Sequence, residues 1–154
     1  MAGLLTDFGF GGGATSAVVN AFSSGGVSES SLQAQGSNGA KEVLSGALTA
    51  NTLSAPLLSV TGAGELPFLT AYTKDATSRT VRLKVVIDGQ ATAVFDATTD
   101  AISSSGKGLA AAGNASGPTG SPIVFNSSLE VSVASSLTET NKVAIGYILN
   151  KKGG

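Results

Sequence analysis

The sequence predicts an all-β fold: an antiparallel β-sandwich or jelly-roll-like domain behind a flexible, partly helical N-terminal arm. Three observations carry that expectation. Several short segments alternate apolar and polar residues with period two. Polar or glycine-bearing turns separate them. No long segment has the three-to-four spacing of an amphipathic helix.

The first forty or so residues differ from the rest. Gly9 to Gly13 and Ser23 to Gly26 are small-residue punctuation, and Gln33 to Gly39 is polar and loop-like. Between them, Ala14 to Phe22 has the spacing of a short helix, with Val18 and Phe22 on one face at i, i+4. So short a helix needs a partner surface. Leu4, Leu5, Phe8 and Phe10 are likewise apolar without an obvious local core. Two readings stay open: an arm that docks on a neighbouring subunit through Phe8, Phe10, Val18 and Phe22, or a disordered or tucked-in terminus. The expected organisation is an arm over 1–42, a sandwich over 43–150 and a tail over 151–154.

From about Val43 the pattern becomes that of strands. Val81, Leu83, Val85 and Ile87 alternate with Arg82, Lys84 and Val86, so one face is apolar and most of the other charged. Leu129, Val131 and Val133 alternate with Glu130 and Ser132, and Val143, Ile145, Tyr147 and Leu149 form a third run. Leu66, Phe68 and Tyr72 mark a fourth, and Leu57 to Thr61 a shorter fifth. Asp88-Gly89 between apolar strands signals a type I′ hairpin, which needs positive φ at both central residues. It predicts antiparallel strands at roughly 79–87 and 90–96. Gly106 to Pro122 reads as a long small-residue loop with a brief strand near Leu109 to Ala112.

Composition narrows the function. Of the 154 residues, 42% are hydrophobic, enough for a core, and only 12% are charged, about half the usual share. Gly, Ala, Ser and Thr replace the missing charge, which suits a protein held inside an assembly. The net charge is −1 and the nine basic residues are scattered, so nucleic acid is not an expected partner. Lys151-Lys152, the lone basic doublet, reads as a solubilising tail. No stretch approaches eighteen apolar residues, so no membrane span is expected. No signal peptide is visible, and the chain reads as soluble and intracellular at synthesis.

Catalytic parts are scarce. The sequence has no His and no Cys, which excludes Ser-His-Asp and Cys-His nucleophilic sites and conventional zinc sites. P-loop and G-x-S-x-G patterns are absent. Asp96 and Asp100 sit four apart as loop residues and Asp88 belongs to its turn, so no carboxylate pair is opposed across a cleft. No cofactor, metal or catalytic residue is expected. Thr73 to Thr80 reads as a solvated hairpin loop, in which Arg79, together with Arg82, is a candidate for ion pairs with a neighbouring copy. Trp is absent, leaving Tyr72 and Tyr147 as the tyrosines available to a glycan platform, and Tyr147 falls on an apolar strand face.

Leu58-Ser59-Val60-Thr61-Gly62-Ala63-Gly64, Phe68 to Thr80, Val85 to Gly89, Val94-Phe95-Asp96, Phe125 to Leu129 and Ala134 to Thr138 follow one another in a strand-and-turn order. That order resembles small β-sandwich virion proteins of tailed bacteriophages, among them head-decoration and fibre-like proteins, over about 43–150. The resemblance implies a homo-oligomer, often a trimer, fixed to the major capsid protein or to tail or baseplate proteins. It places the protein in the virion after assembly in the host cytoplasm, attached through its N-terminal arm. A receptor- or glycan-binding module at a fibre tip is the alternative, and a weak hydrolase the third reading.

Overall fold

The computed structural model describes residues 40–113 and 121–153. The arm expected over 1–42, with its helix at 14–22, lies outside them up to residue 39. The described residues hold eleven strands: β1 (Lys41–Leu44), β2 (Ala47–Leu48), β3 (Leu58–Thr61), β4 (Gly64–Thr73), β5 (Val81–Ile87), β6 (Phe95–Thr98), β7 (Gly108–Ala112), β8 (Ile123–Phe125), β9 (Ser128–Ser135), β10 (Glu139–Thr140) and β11 (Val143–Lys151). Sheet I runs β1-β11-β4-β7, with β8 on the same flank of β4 as β7. Sheet II runs β3-β9-β5-β6, and β2 and β10 form a small separate ribbon. All pairings are antiparallel.

The period-two alternation becomes the core. Val81, Leu83 and Val85 of β5 are fully buried beside Leu129, Val131 and Val133 of β9. Facing them from sheet I are Leu66, Leu69 and Ala71 of β4, Phe125 of β8, and Val143, Ile145 and Tyr147 of β11, all in one cluster. Two sheets whose inner faces share a core make a sandwich. The brief strand expected near 109–112 is β7. Its Gly108 is there for close approach, since an added Cβ would lie 1.7 Å from the Ala71 carbonyl oxygen.

Three expectations are corrected. Thr73 to Thr80 is not a hairpin loop: β4 pairs with β11 while β5 pairs with β9, so residues 74–80 carry the chain from sheet I to sheet II. The Asp88-Gly89 turn has positive φ at both residues, 54° and 64°, and Gln90 N–H donates to the Ile87 carbonyl at 3.0 Å. Its return strand nevertheless begins only at Phe95, with Val85 opposite. Ile87 stays paired with Leu129, and Asp88 N–H donates to the Ser128 carbonyl, so the turn is held on its β9 side. Asp96 is therefore a strand residue and not a loop residue.

The run Leu66, Phe68, Tyr72 is a strand, but its phase flips. Phe68 pairs with Ile148 and Glu65 with Asn150, so Leu66-Pro67 together oppose Leu149. A bulge of this kind absorbs a proline, which has no N–H for the ladder. Past it, Leu69, Ala71 and Thr73 point inward while Phe68 and Tyr72 take the outer face. Thr73 is tolerated inside because its hydroxyl donates to the Ser104 carbonyl at 2.6 Å.

Candidate interaction surfaces

Directly opposed residues share a face, so pairing registers give the two outer surfaces. On sheet I the rows are Leu44–Ala144–Tyr72, Glu42–Gly146–Thr70–Ala110 and Ile148–Phe68. This surface is apolar and small-residue at its centre. Gly146 leaves room beside it: a Cβ there would touch Thr70 Cγ2 and Tyr72 Cε1, each at 3.4 Å. Tyr72 lies across β11 and its hydroxyl donates to the Glu42 carboxylate on β1. Lys74 closes the clasp, with Nζ 2.7 Å from Glu42 Oε2 and 5.6 Å from the Tyr72 ring centroid. Lys74, then Tyr72, hold the Glu42 carboxyl below its usual range. Burial first, and then the hydrogen bond to Glu42, push the Tyr72 hydroxyl up to about 12. The Glu42–Lys74 pair is thus tied up within the face. Glu65, in the row Asn150–Glu65–Val124 at its far end, accepts from Asn150 Nδ2 at 3.1 Å.

Sheet II presents the opposite chemistry. Its outer rows are Arg82–Ala134–Thr98, Lys84–Ser132–Asp96 and Val86–Glu130–Ser59. Arg82 reaches diagonally to Asp96 in a two-pronged pair, Nε to Oδ1 at 2.7 Å and Nη2 to Oδ2 at 2.8 Å. The pair lowers the Asp96 carboxyl and raises the Arg82 guanidinium. Arg82, a candidate for contact with another copy, remains 41% exposed but has its carboxylate within the chain.

Arg79 needs a stronger correction. It is only 2% exposed, so it is not an outward-facing interface residue. Nη2 lies 2.5 Å from Asp75 Oδ1, and Nη1 donates to the Lys142 carbonyl at 3.4 Å. Nε lies 3.0 Å from Glu139 Oε2, yet its N–H is not aimed there. Nε and Glu139 Oε1 are consequently buried without a hydrogen bond, and charge more than direction holds that contact. Asp75 also meets Lys142 Nζ at 3.2 Å. The Thr77 N–H, then Arg79, hold the Asp75 carboxyl well below the usual range. A buried guanidinium in the crossover thereby ties β5 to the β10–β11 turn.

Asp88 acts similarly at the other end. Its Oδ1 accepts the N–H groups of Ser127 at 2.7 Å, Asn126 at 2.9 Å and Ser128 at 3.2 Å. Those donors, Ser127 foremost, bring its carboxyl down to about 2. The β8–β9 turn is an anion-binding nest filled by the protein's own carboxylate. Among the described residues, no group of three His, Cys, Asp or Glu is placed to hold a metal.

A last feature lies where the open edges of the two sheets meet. An apolar groove of about 430 Å³ runs between the start of β6 and β8. Val94 and Val124 line it and are 45% and 47% exposed. Sequence reasoning missed both, because each sits beside a strand-like run that reads as core. Phe8, Phe10, Val18 and Phe22 fall outside the described residues. No family model, no curated protein and no solved structure matches the chain.

Proposed function

We propose that the chain is a non-enzymatic structural protein of a bacteriophage virion, a capsid decoration or short fibre-type protein that oligomerises. In this reading the β-body packs against other protein surfaces and the N-terminal arm makes the attachment. The observation that supports it is the outer face of sheet I. Leu44, Phe68 and Ile148 surround a small-residue centre, and the Glu42–Lys74 pair there is clasped over Tyr72. A sheet with one solvated face ordinarily reads as alternation, as Val81 to Val85 of β5 does. Val143 to Leu149 instead reads as an almost unbroken apolar run, the pattern of a strand covered on both sides. Many weak copies on a lattice gain from effective concentration, so each contact can be modest.

The test is the mass of the purified chain by light scattering over a wide concentration range. A small multiple of 15.0 kDa, three copies for a trimer, is expected. A monomer at every concentration would remove the reading.

A further inference from the structure

We infer that the groove between β6 and β8 receives an extended segment, Leu4 to Phe10, from a second copy of this chain. The inference rests on the assembly reading above and specifies where an arm would go. It starts from the open side of the sandwich. Strand β6 ends the order of sheet II, and every second N–H and C=O of an edge strand points away from its partner. Beside that edge, Ile87, Phe95 and Ile123 belong to the margin of the core and also line the groove. Val94, Ala111, Ser121, Pro122 and Val124 complete it; none of the lining residues is charged, and the nearest carboxylate by register is Glu65, opposite Val124 on β4. Among the described residues no strand pairs with this edge, and an open backbone edge next to an apolar trough is what an added strand needs. The edge supplies main-chain hydrogen bonds, and the trough takes alternate side chains.

The occupant follows from the sequence outside the described residues. In Leu4-Leu5-Thr6-Asp7-Phe8-Gly9-Phe10, an extended chain would put Leu4, Thr6, Phe8 and Phe10 on one side. The single charge, Asp7, falls on the other. That side is bulky and uncharged, matching the trough. Reach is no obstacle, since the 39 residues before Ala40 extend to roughly 130 Å at most. The body begins at β1, the edge of sheet I opposite β7 and β8. Exchange between copies, unlike closure within one, yields the assembly that the reading requires.

The absence of cysteine allows a direct test on the full-length chain. Thr6→Cys protein is mixed with Val124→Cys protein, or with Val94→Cys protein, and oxidised. Ser59→Cys, on the exposed outer face of β3, replaces the acceptor as control. Each acceptor side chain is already solvent-exposed, and circular dichroism melts verify that the variants fold. Disulfide heterodimer should exceed the control about tenfold or more, because docked thiols meet at high effective concentration. A Thr6→Cys/Val124→Cys double variant that closes within one molecule at high dilution would overturn the second-copy assignment. Equal yields with all acceptors, in a protein that still oligomerises, would overturn the groove and leave the assembly reading standing. A protein that is monomeric throughout would remove both.

Discussion

The two outer faces of the sandwich have been built to different rules. Sheet II carries Arg82, Lys84, Asp96, Glu130, Ser132 and Thr98 on its outer side beside Ala134 and Val86, and Val81 to Val85 of β5 declares this by alternation. Sheet I carries Leu44, Phe68, Ile148, Ala144 and Gly146, with Glu42 held in the Glu42–Tyr72–Lys74 clasp and Glu65 beside Asn150 at the other end. One core lies beneath both. What differs is the chemistry each presents: an exposed ion pair on one, apolar and small residues on the other. A sheet with one solvated face ordinarily reads as alternation, and a strand covered on both faces as a continuous apolar run.

The comparison can be broken first at its two arginines, which the sequence treats as equals. Arg79→Ala leaves Glu139 buried without its cation, and the expected loss is about 3 to 5 kcal/mol in urea unfolding. Arg82→Ala removes a pair that water and salt already screen, and its unfolding midpoint should barely move. Similar losses from both substitutions would show that burial does not separate them.

Acid is expected to act next. The Asp88 carboxyl is brought from an ordinary 3.8 to about 2, so its native contacts contribute fully above pH 3.8. The contribution is lost as pH falls through about 2, and Asp75 adds to the same limb because it too is lowered. Asp88→Asn should therefore lower stability at neutral pH and flatten the dependence between about pH 4 and pH 2. Urea midpoints measured across that window for both proteins check it.

A smaller effect sharpens the sheet I side. Tyr72 is raised from 10.0 to about 12, so its share of stability is intact below pH 10 and lost as pH rises through 12. Gly146→Val fills the space beside its ring, and should bring the tyrosine titration back toward its ordinary range and release Lys74. An unchanged titration would mean that the clasp does not depend on the glycine.

The fold was legible because alternation in β5 and β9 is dictated by burial of one face, a local consequence of a global core, and because the apolar run of β11 also reads as a strand. Turn chemistry was legible at Asp88-Gly89 for the same reason, since few residues accept positive φ. The length of the hairpin was not, because Asp88 is held by the Asn126 to Ser128 turn some forty positions away in sequence. Nor was the phase flip at Leu66-Pro67 foreseeable, as it depends on where β11 places Leu149. Arg79 looked like a solvated loop residue, since nothing in Thr73 to Thr80 says that Glu139 lies beside it. Val94 and Val124 were hidden for the converse reason. They belong to apolar runs, and only the open edges of two sheets expose them.

The claim that sheet I packs while sheet II stays solvated is tested most directly by one matched pair of substitutions read by light scattering. Leu44→Asp places a charge on the sheet I face at a residue already 42% exposed, so the fold should survive. Ser59→Asp places the same charge on the exposed side of sheet II. The account predicts that Leu44→Asp shifts the oligomer toward a single 15.0 kDa chain, while Ser59→Asp leaves the mass of the assembly unchanged. The reverse order, or no difference between the two, would contradict it.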